Sequence, residues 1–414
     1  MKEHIIKNRD IVLFSFQPWD EEIGSNFKDI ALELSRNNRV LFINHALDRI
    51  SALTKRNQKK VRARLKSIWQ GEGELTEVKP NLWVHNPRTV LESINWLPRG
   101  GAYDFMNRVN SKRLAKQINK IIHRLNFTNI ILINDNDFFR GIHLKQMLNA
   151  SVYLFYIRDY LTYQPWFRKH GVRMEQKMMR VADVVVANSG YLANYARKFN
   201  PLSFDIGQGC DVQQYLAEDL PIPADLKAIA HPIIGYAGAI SGMRLDAEVI
   251  AHIAQQLQDC SIVLVGPVVD AFDEPMLRKY SNVHFLGRKD PSEVPSYVCH
   301  FDVCINPQQV NQLTIGNYPR KADEYLAMGK PVVATRTDAM EMFSEHVFLC
   351  NSKEEYVKYI KDILNSPELQ SSACREQRQA FALTHTWENS VSLLGAAFYE
   401  FEKKQGKYAA LEKA

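Results

Sequence analysis

Between Asn317 and Thr335 the chain reads NYPRKADEYLAMGKPVVAT, and two of its side chains could do chemistry together. Lys321 and Glu324 lie three apart, which on a helix sets both on nearly one face. A cation and a carboxylate beside a helix N-terminus could grip a phosphate and a ribose, because that terminus already favours anions. The same residues also suit a plain surface role. Arg320–Glu324 and Lys321–Glu324 have the spacing of ordinary helix ion pairs, each worth about 0.2–0.5 kcal/mol.

The flanking residues say how this pair would be positioned. Asn317 is placed to cap orphan N–H groups, and Pro319 suits a first helical turn. Gly329 predicts a left-handed C-terminal stop, and Pro331 keeps the helix from resuming. Val332 to Ala334 then reads as a short strand buried on both faces. Similar apolar strands are expected at 11–16, 40–44, 82–85, 130–133, 152–156, 184–187 and 203–206, and again at 233–236, 262–265, 283–286, 303–306 and 347–349. Helical stretches near 27–37, 103–125, 139–148, 173–181 and 247–257 separate many of them, as in strand–helix–strand units of parallel sheets. The pattern predicts an α/β chain of two Rossmann-like, doubly wound domains, 1–229 and 230–384, with a linker near 210–232. A final helix within 385–414 is expected to pack back on the first. Ligands in such sheets bind beyond the carboxyl ends of strands.

Composition narrows the class. The chain has 414 residues, 46% hydrophobic and 24% charged, which suits two globular domains. Neither an apolar leader nor a run of about 18 apolar residues occurs, so a cytoplasmic protein is expected. Six cysteines fall in the second half without paired metal spacing, which predicts reduced thiols. The net charge of +6 is local: seven basic residues lie between Lys55 and Lys66, and without them 45 basic residues face 46 acidic ones. Nucleic acid is therefore a poor partner. Within that segment Val61, Leu65, Ile68 and Trp69 form one helical stripe among the cations. This fits either a helix lying on anionic membrane or a solvated helix packed on its own domain.

Further candidates sit in loops after strands. Gly238-Ala239-Ile240-Ser241-Gly242 could let backbone approach a phosphate or sugar, but it is no dinucleotide fingerprint. Arg244 follows it and, on its own, reads as a solvated residue at a helix N-terminus. Asp135-Asn136-Asp137 resembles a metal-holding pair, yet two acids without further oxygen ligands make a weak metal signal, and Asp137 is well placed to cap a helix entered at Phe138. His170 could act as a base, although a polar Arg-Lys-His-Gly turn accounts for it as a loop histidine.

Taken in order, these landmarks resemble GT-B glycosyltransferases, in particular the large retaining family four, the glycosyl transferases group 1. Pro319, Lys321, Glu324, Tyr325, Gly329, Pro331 and Val332 match its donor-site helix, and Phe285 to Arg288, Val294 to Tyr297 and Phe301 to Pro307 match the landmarks before it. The resemblance implies a fold of two domains facing a cleft and a donor site of Gly238, Arg244, Gly266, Arg288, Thr314, Gly316, Asn317, Lys321 and Glu324. Glu324 would contact the ribose, and Lys321 and Arg244 would steady the diphosphate. Gly316 stands where relatives carry the first Glu of a Glu-x7-Glu motif. Trp19, Gly24, Ser25 and Asp159 match the acceptor side. The implied reaction transfers a sugar, without metal or cofactor, from a UDP- or GDP-type donor to a glycan or lipid-linked acceptor at the inner face of a membrane. A nucleotide-sugar epimerase and a non-catalytic nucleotide-sugar-binding subunit are the competing readings.

Overall fold

A computed structural model describes residues 4–20, 26–70, 73–217, 219–269 and 272–406, without the side chains of residues 59, 60 and 67. It divides into two compact units, 1–207 with 390–414, and 208–389. The boundary thus precedes the expected one. The stretch 210–232 is no linker, because Val212, Tyr215 and Leu226 are buried in the core of the second unit.

The first unit is built on an eight-stranded sheet. Its strands are β1 (Asp10–Ser15), β2 (Arg39–Ile43), β3 (Leu75–Lys79), β4 (Leu82–His85), β5 (Ile131–Asp135), β6 (Val152–Ile157), β7 (Val184–Ala187) and β8 (Ser203–Asp205), in the spatial order β8-β7-β6-β5-β1-β2-β4-β3. All neighbours are parallel except β3, which runs antiparallel to β4 at the edge. β1 and β6 are buried at every residue, the reason residues 11–14 and 152–157 read as unbroken apolar runs. Strand order reverses between β1 and β5, so their carboxyl ends frame a crevice. Helices α1 (Asn26–Leu34), α2 (Lys59–Gln70), α3 (Gly101–Arg124) and α4 (Pro165–Val181) belong to this unit.

The second unit carries six parallel strands, β9 (Ile233–Ala237), β10 (Ser261–Val265), β11 (Val283–Gly287), β12 (Val303–Asn306), β13 (Val332–Thr335) and β14 (Val347–Cys350). Their order, β11-β10-β9-β12-β13-β14, is that of a dinucleotide-type doubly wound sheet with its switch between β9 and β12. Alternate residues feed opposite cores: Ile233 and Ala237 join one cluster, Ile234 and Tyr236 the other. Helices α5 (Ala247–Gln256), α6 (Arg320–Ala327) and α7 (Lys353–Asn365) flank the sheet, and α8 (Trp387–Lys404) carries the chain from this unit into the first.

Three expectations need correction here. Helix α4 begins at Pro165, eight residues before the predicted start, which puts His170 inside a helix rather than in a turn. His170 is a core residue, stacked on Tyr103 at 3.8 Å between centroids, with Nε2 donating to the Asn95 carbonyl at 3.2 Å. Burial lowers its pKa. Asp137 caps a turn and not a helix: its Oδ1 accepts from the Arg140 N–H at 2.9 Å, and the helix expected over 139–148 shrinks to Leu144–Met147. Asp135 pairs with Arg158 at 2.9 Å and Asp137 with Arg140 at 2.8 Å, so both acids have cationic partners within the protein. All six cysteines are free thiols.

Glu175 on α4 carries a stability prediction. The carboxyl is buried, accepts from Tyr195 Oη at 2.8 Å, and burial pushes its pKa up to about 7. Below the ordinary value of 4.5 it is protonated in both folded and unfolded states and has no effect. Between there and pH 7 the unfolded chain releases the proton first, so stability falls as pH rises, by roughly 3 kcal/mol at completion. Glu175→Gln should remove that loss. Its melting temperature relative to the parent should climb from pH 4.5 to 8, and a pH-independent difference would show the carboxyl to be unperturbed.

Candidate functional site

Lys321 and Glu324 are brought to the switch point of the second unit by their own helix. α6 ends in a Schellman arrangement: Gly329, at φ 74°, donates to Leu326 O at 2.8 Å and Lys330 to Tyr325 O at 3.0 Å. The start differs from expectation. Pro319 occupies the N-cap position and no side chain caps the helix, so Asn317 does not serve there. Position along the sheet is set instead by Tyr325, fully buried, whose hydroxyl accepts from Ala237 N at 2.8 Å at the end of β9. One turn before it, Lys321 is thereby laid over the loop that follows β9.

That loop fits the lysine closely. Gly238 has φ 150°, and a Cβ built there would lie 2.1 Å from Lys321 Cε and 2.8 Å from Nζ. Gly266, after β10 at φ 146°, packs on Gly238 in turn: its Cβ would lie 1.9 Å from the Gly238 carbonyl oxygen. The Lys321 ammonium stands 5.5 Å over the Tyr236 ring. Two bare backbones and a cation therefore converge at the carboxyl end of β9, a construction suited to an anion approaching main chain.

Glu324 is held from two sides. Arg320 Nε lies 3.1 Å from Oε1, and the Tyr215 hydroxyl donates to the same carboxylate. Burial raises its pKa, while Arg320 and Lys321 pull it back. Next to it, Asp323 is fully buried, accepting from Tyr318 Oη at 2.7 Å and His385 Nδ1 at 2.6 Å. These two contacts hold α6 from behind.

The remaining residues expected on the donor side divide into builders and exposed groups. Asn311 donates through Nδ2 to Met243 O at 2.9 Å, and Gln309 N donates to Arg244 O at 2.9 Å, tying the loops after β9 and β12 together. Arg244 itself is half-buried. The Thr314 hydroxyl is fully buried, donating to Gln309 O and accepting from Asn311 N at 3.0 Å, so it shapes the loop from within. Gly316 is buried, Asn317 half-buried with N–H donating to Thr314 O at 3.1 Å, and Arg288 exposed beyond β11. Sequence reasoning missed Asn311, Tyr215, Asp323 and His385. Only Asn311 left a signal, an Asn-Gln-Leu-Thr run in the form of an Asx turn, with Oδ1 accepting from Leu313 N at 2.8 Å.

In the first unit, Trp19 N–H donates to Asn44 Oδ1 at 2.7 Å and its ring meets Phe42 edge-on at 5.2 Å. The Asp159 carbonyl accepts from Asn136 Nδ2 at 3.0 Å. Gly24 and Ser25 lie outside the described residues. A pocket of about 390 Å³ opens nearby, past the ends of β2 and β5, and neither Trp19 nor Asp159 lines it. At one end Arg140 Nη1 approaches the His45 imidazole nitrogens to 2.6 and 2.7 Å, and burial with the Arg140 and Arg64 charges holds His45 well below its ordinary pKa. A larger polar cavity of about 690 Å³, around Arg9 and Arg39, lies at the opposite, amino ends of β1 and β2.

Residues 231–366 match the family described as glycosyl transferases group 1. The matched segment lies within the second unit. A segment of 177 residues is 28% identical to a Bacillus subtilis (strain 168) protein whose name assigns it provisionally as the teichuronic acid biosynthesis glycosyltransferase TuaH. That match covers 41% of this chain and 44% of the relative, less than half of either. Over the whole chain the GT-B fold is shared with solved glycosyltransferases. Sucrose-phosphate synthase from Thermosynechococcus elongatus aligns with a TM-score of 0.63 at 15% identity, covering 95% of this chain and 98% of that one. Anabaena HepE, solved with UDP and glucose, gives 0.63 at 14% identity over 95% and 100%. Trehalose 6-phosphate synthase from Burkholderia multivorans gives 0.61 at 10% over 98% and 100%. Within the matched segment, Gly238, Gly266, Lys321 and Glu324 all sit at the carboxyl edge of the sheet.

Proposed function

We propose that the protein transfers a sugar from a nucleotide diphosphate donor to a glycan or lipid-linked saccharide, with retention of configuration and without a metal ion. The observation that carries this reading is the Lys321 ammonium lying against the bare backbone of Gly238 at the strand-order switch. As the glycosidic bond breaks, negative charge grows on the leaving diphosphate. A fixed cation and preorganised N–H groups stabilise that charge more than the ground state, which is what accelerates the step. Glu324 is placed to take ribose hydroxyls in exchange for its contact with Tyr215, and Arg244 completes the cationic lining. UDP- or GDP-type donors fit this scheme, and the UDP-bound neighbour favours UDP.

Incubation with a panel of UDP- and GDP-sugars, with and without saccharide acceptors, tests the reading. Transfer requires acceptor. Epimerisation without acceptor would replace it with the epimerase reading, and binding without turnover would favour a partner subunit, the reading to which Gly316 lends weight. Because Asp135 and Asp137 pair with Arg158 and Arg140, chelator should leave turnover intact. Activity lost to chelator and restored by manganese would overturn metal independence.

Contact with anionic membrane through residues 55–69 belongs to the same proposal. No described helix is long and apolar enough to cross a membrane. Within α2, Val61 is buried and Leu65 and Ile68 are half-buried, but Trp69 departs from the expected stripe and is 81% exposed. Arg64 is no free surface cation either: it donates to His45 O at 3.0 Å and pairs with Asp20 at 2.8 Å. The useful variant therefore replaces Lys59, Lys60 and Arg62 by Gln and Trp69 by Ala. It should sediment less with anionic vesicles, and the parent's binding should fall with salt. Unchanged sedimentation would make α2 an ordinary solvated helix.

A further inference from the structure

The pocket of the first unit has a chemistry that points to its occupant. Leu91, Tyr103, Phe139 and Phe167 supply apolar walls. Its rim is apolar and open to solvent: Ile50 is 55% exposed, Trp96 72% and Trp166 59%. Single exposed apolar residues are common, but three around one cavity make a surface that gains by being covered.

The polar groups lining it are mostly spent on one another. Asp48 accepts from Ser51 Oγ at 2.6 Å and from Ser93 Oγ at 2.6 Å. Asn110 exchanges hydrogen bonds with the Glu92 backbone at 2.9 Å in each direction. Arg140 is shared between Asp137 and His45. One donor stands apart: Asn107 is 2% exposed, lines the pocket, and its Nδ2 has no partner. A free sugar needs many polar partners, and this pocket offers few. An apolar chain bearing one accepting oxygen matches what is left over.

We propose that this pocket holds the alkyl or prenyl chain of an amphiphilic acceptor, with Asn107 donating to an oxygen where the chain meets its head. The assignment rests on the glycosyltransferase reading for the word acceptor, and on the pocket alone for the chain. Trp96 and Trp166, amphipathic rings at the mouth, close over the chain where it leaves the protein. The site selects acceptors by their carrier chain.

Calorimetry with glucose, hexyl glucoside and octyl glucoside, each below micelle formation, tests it on the whole protein. Each methylene buried tightens binding by up to about fourfold. Octyl glucoside should therefore bind roughly tenfold tighter than hexyl glucoside, with glucose unable to compete. The double variant Trp96→Ala and Trp166→Ala should lose about tenfold in octyl glucoside affinity while UDP affinity stays unchanged. Ile50→Gln, at an exposed position, serves the same comparison should the double variant melt early. Equal affinity for the two glucosides, competition by glucose, or variants binding like the parent would overturn the proposal. Chain binding in a protein that binds neither UDP nor GDP would instead refute the glycosyltransferase reading and leave a lipid site.

Discussion

Lys321→Ala should lower sugar-transfer turnover by about 10²–10³-fold, the usual effect of removing one preorganised group from a site of developing charge. Nucleotide diphosphate affinity should fall as well, by about 1.5–3 kcal/mol for one charge-assisted contact. The fold should survive, because Lys321 is half-buried and Tyr325 and Asp323 carry the helix's packing. Lys321→Arg should not restore the rate. The ammonium packs within van der Waals reach of Gly238, leaving no room for a planar guanidinium. A variant with parental turnover would remove Lys321 from the donor site.

Gly266→Ala is expected to be the most disruptive single methyl in the second unit. Its Cβ would stand 1.9 Å from the Gly238 carbonyl oxygen, and its φ of 146° is one that L side chains rarely adopt. Neither obstacle is a side-chain tip that can swing away, so the loops after β9 and β10 must part. Destabilisation of about 1–3 kcal/mol is expected from backbone strain, together with loss of nucleotide binding. Urea denaturation and UDP titration of the same preparation check both effects. Parental stability with parental affinity would mean that these two backbones do not need their close approach.

These predictions show what the sequence made legible. Both sheets were readable because their central strands are buried on both faces, so Val12, Ile133, Val184 and Val303 stand in unbroken apolar runs. β3 escaped because Leu75 to Lys79 is an edge strand with no fully buried residue, and LTEVK carries too little apolar pattern. The first half of α4 escaped because PWFRKHG contains Gly171, usually a breaker. In the structure that glycine lets the helix press on Thr162 and Phe138, with contacts of 3.2 and 3.3 Å to its would-be Cβ. At the site, the Lys321–Glu324 spacing was local and therefore visible. Tyr215 on Glu324 and His385 on Asp323 were not, since each pair joins residues far apart in the chain. The pocket of the first unit was also hidden, being assembled from loops after three separate strands, from α3 and from the start of α4.

Hydrogen–deuterium exchange with and without UDP or GDP tests the central claim most directly. The bound diphosphate should protect backbone amides at 238–244 and 314–321, where bare main chain faces Lys321. Peptides at the amino ends of the second sheet's strands should exchange as before. Protection confined to other segments, at nucleotide concentrations that saturate binding, would contradict the placement of the donor at Gly238, Gly266 and Lys321.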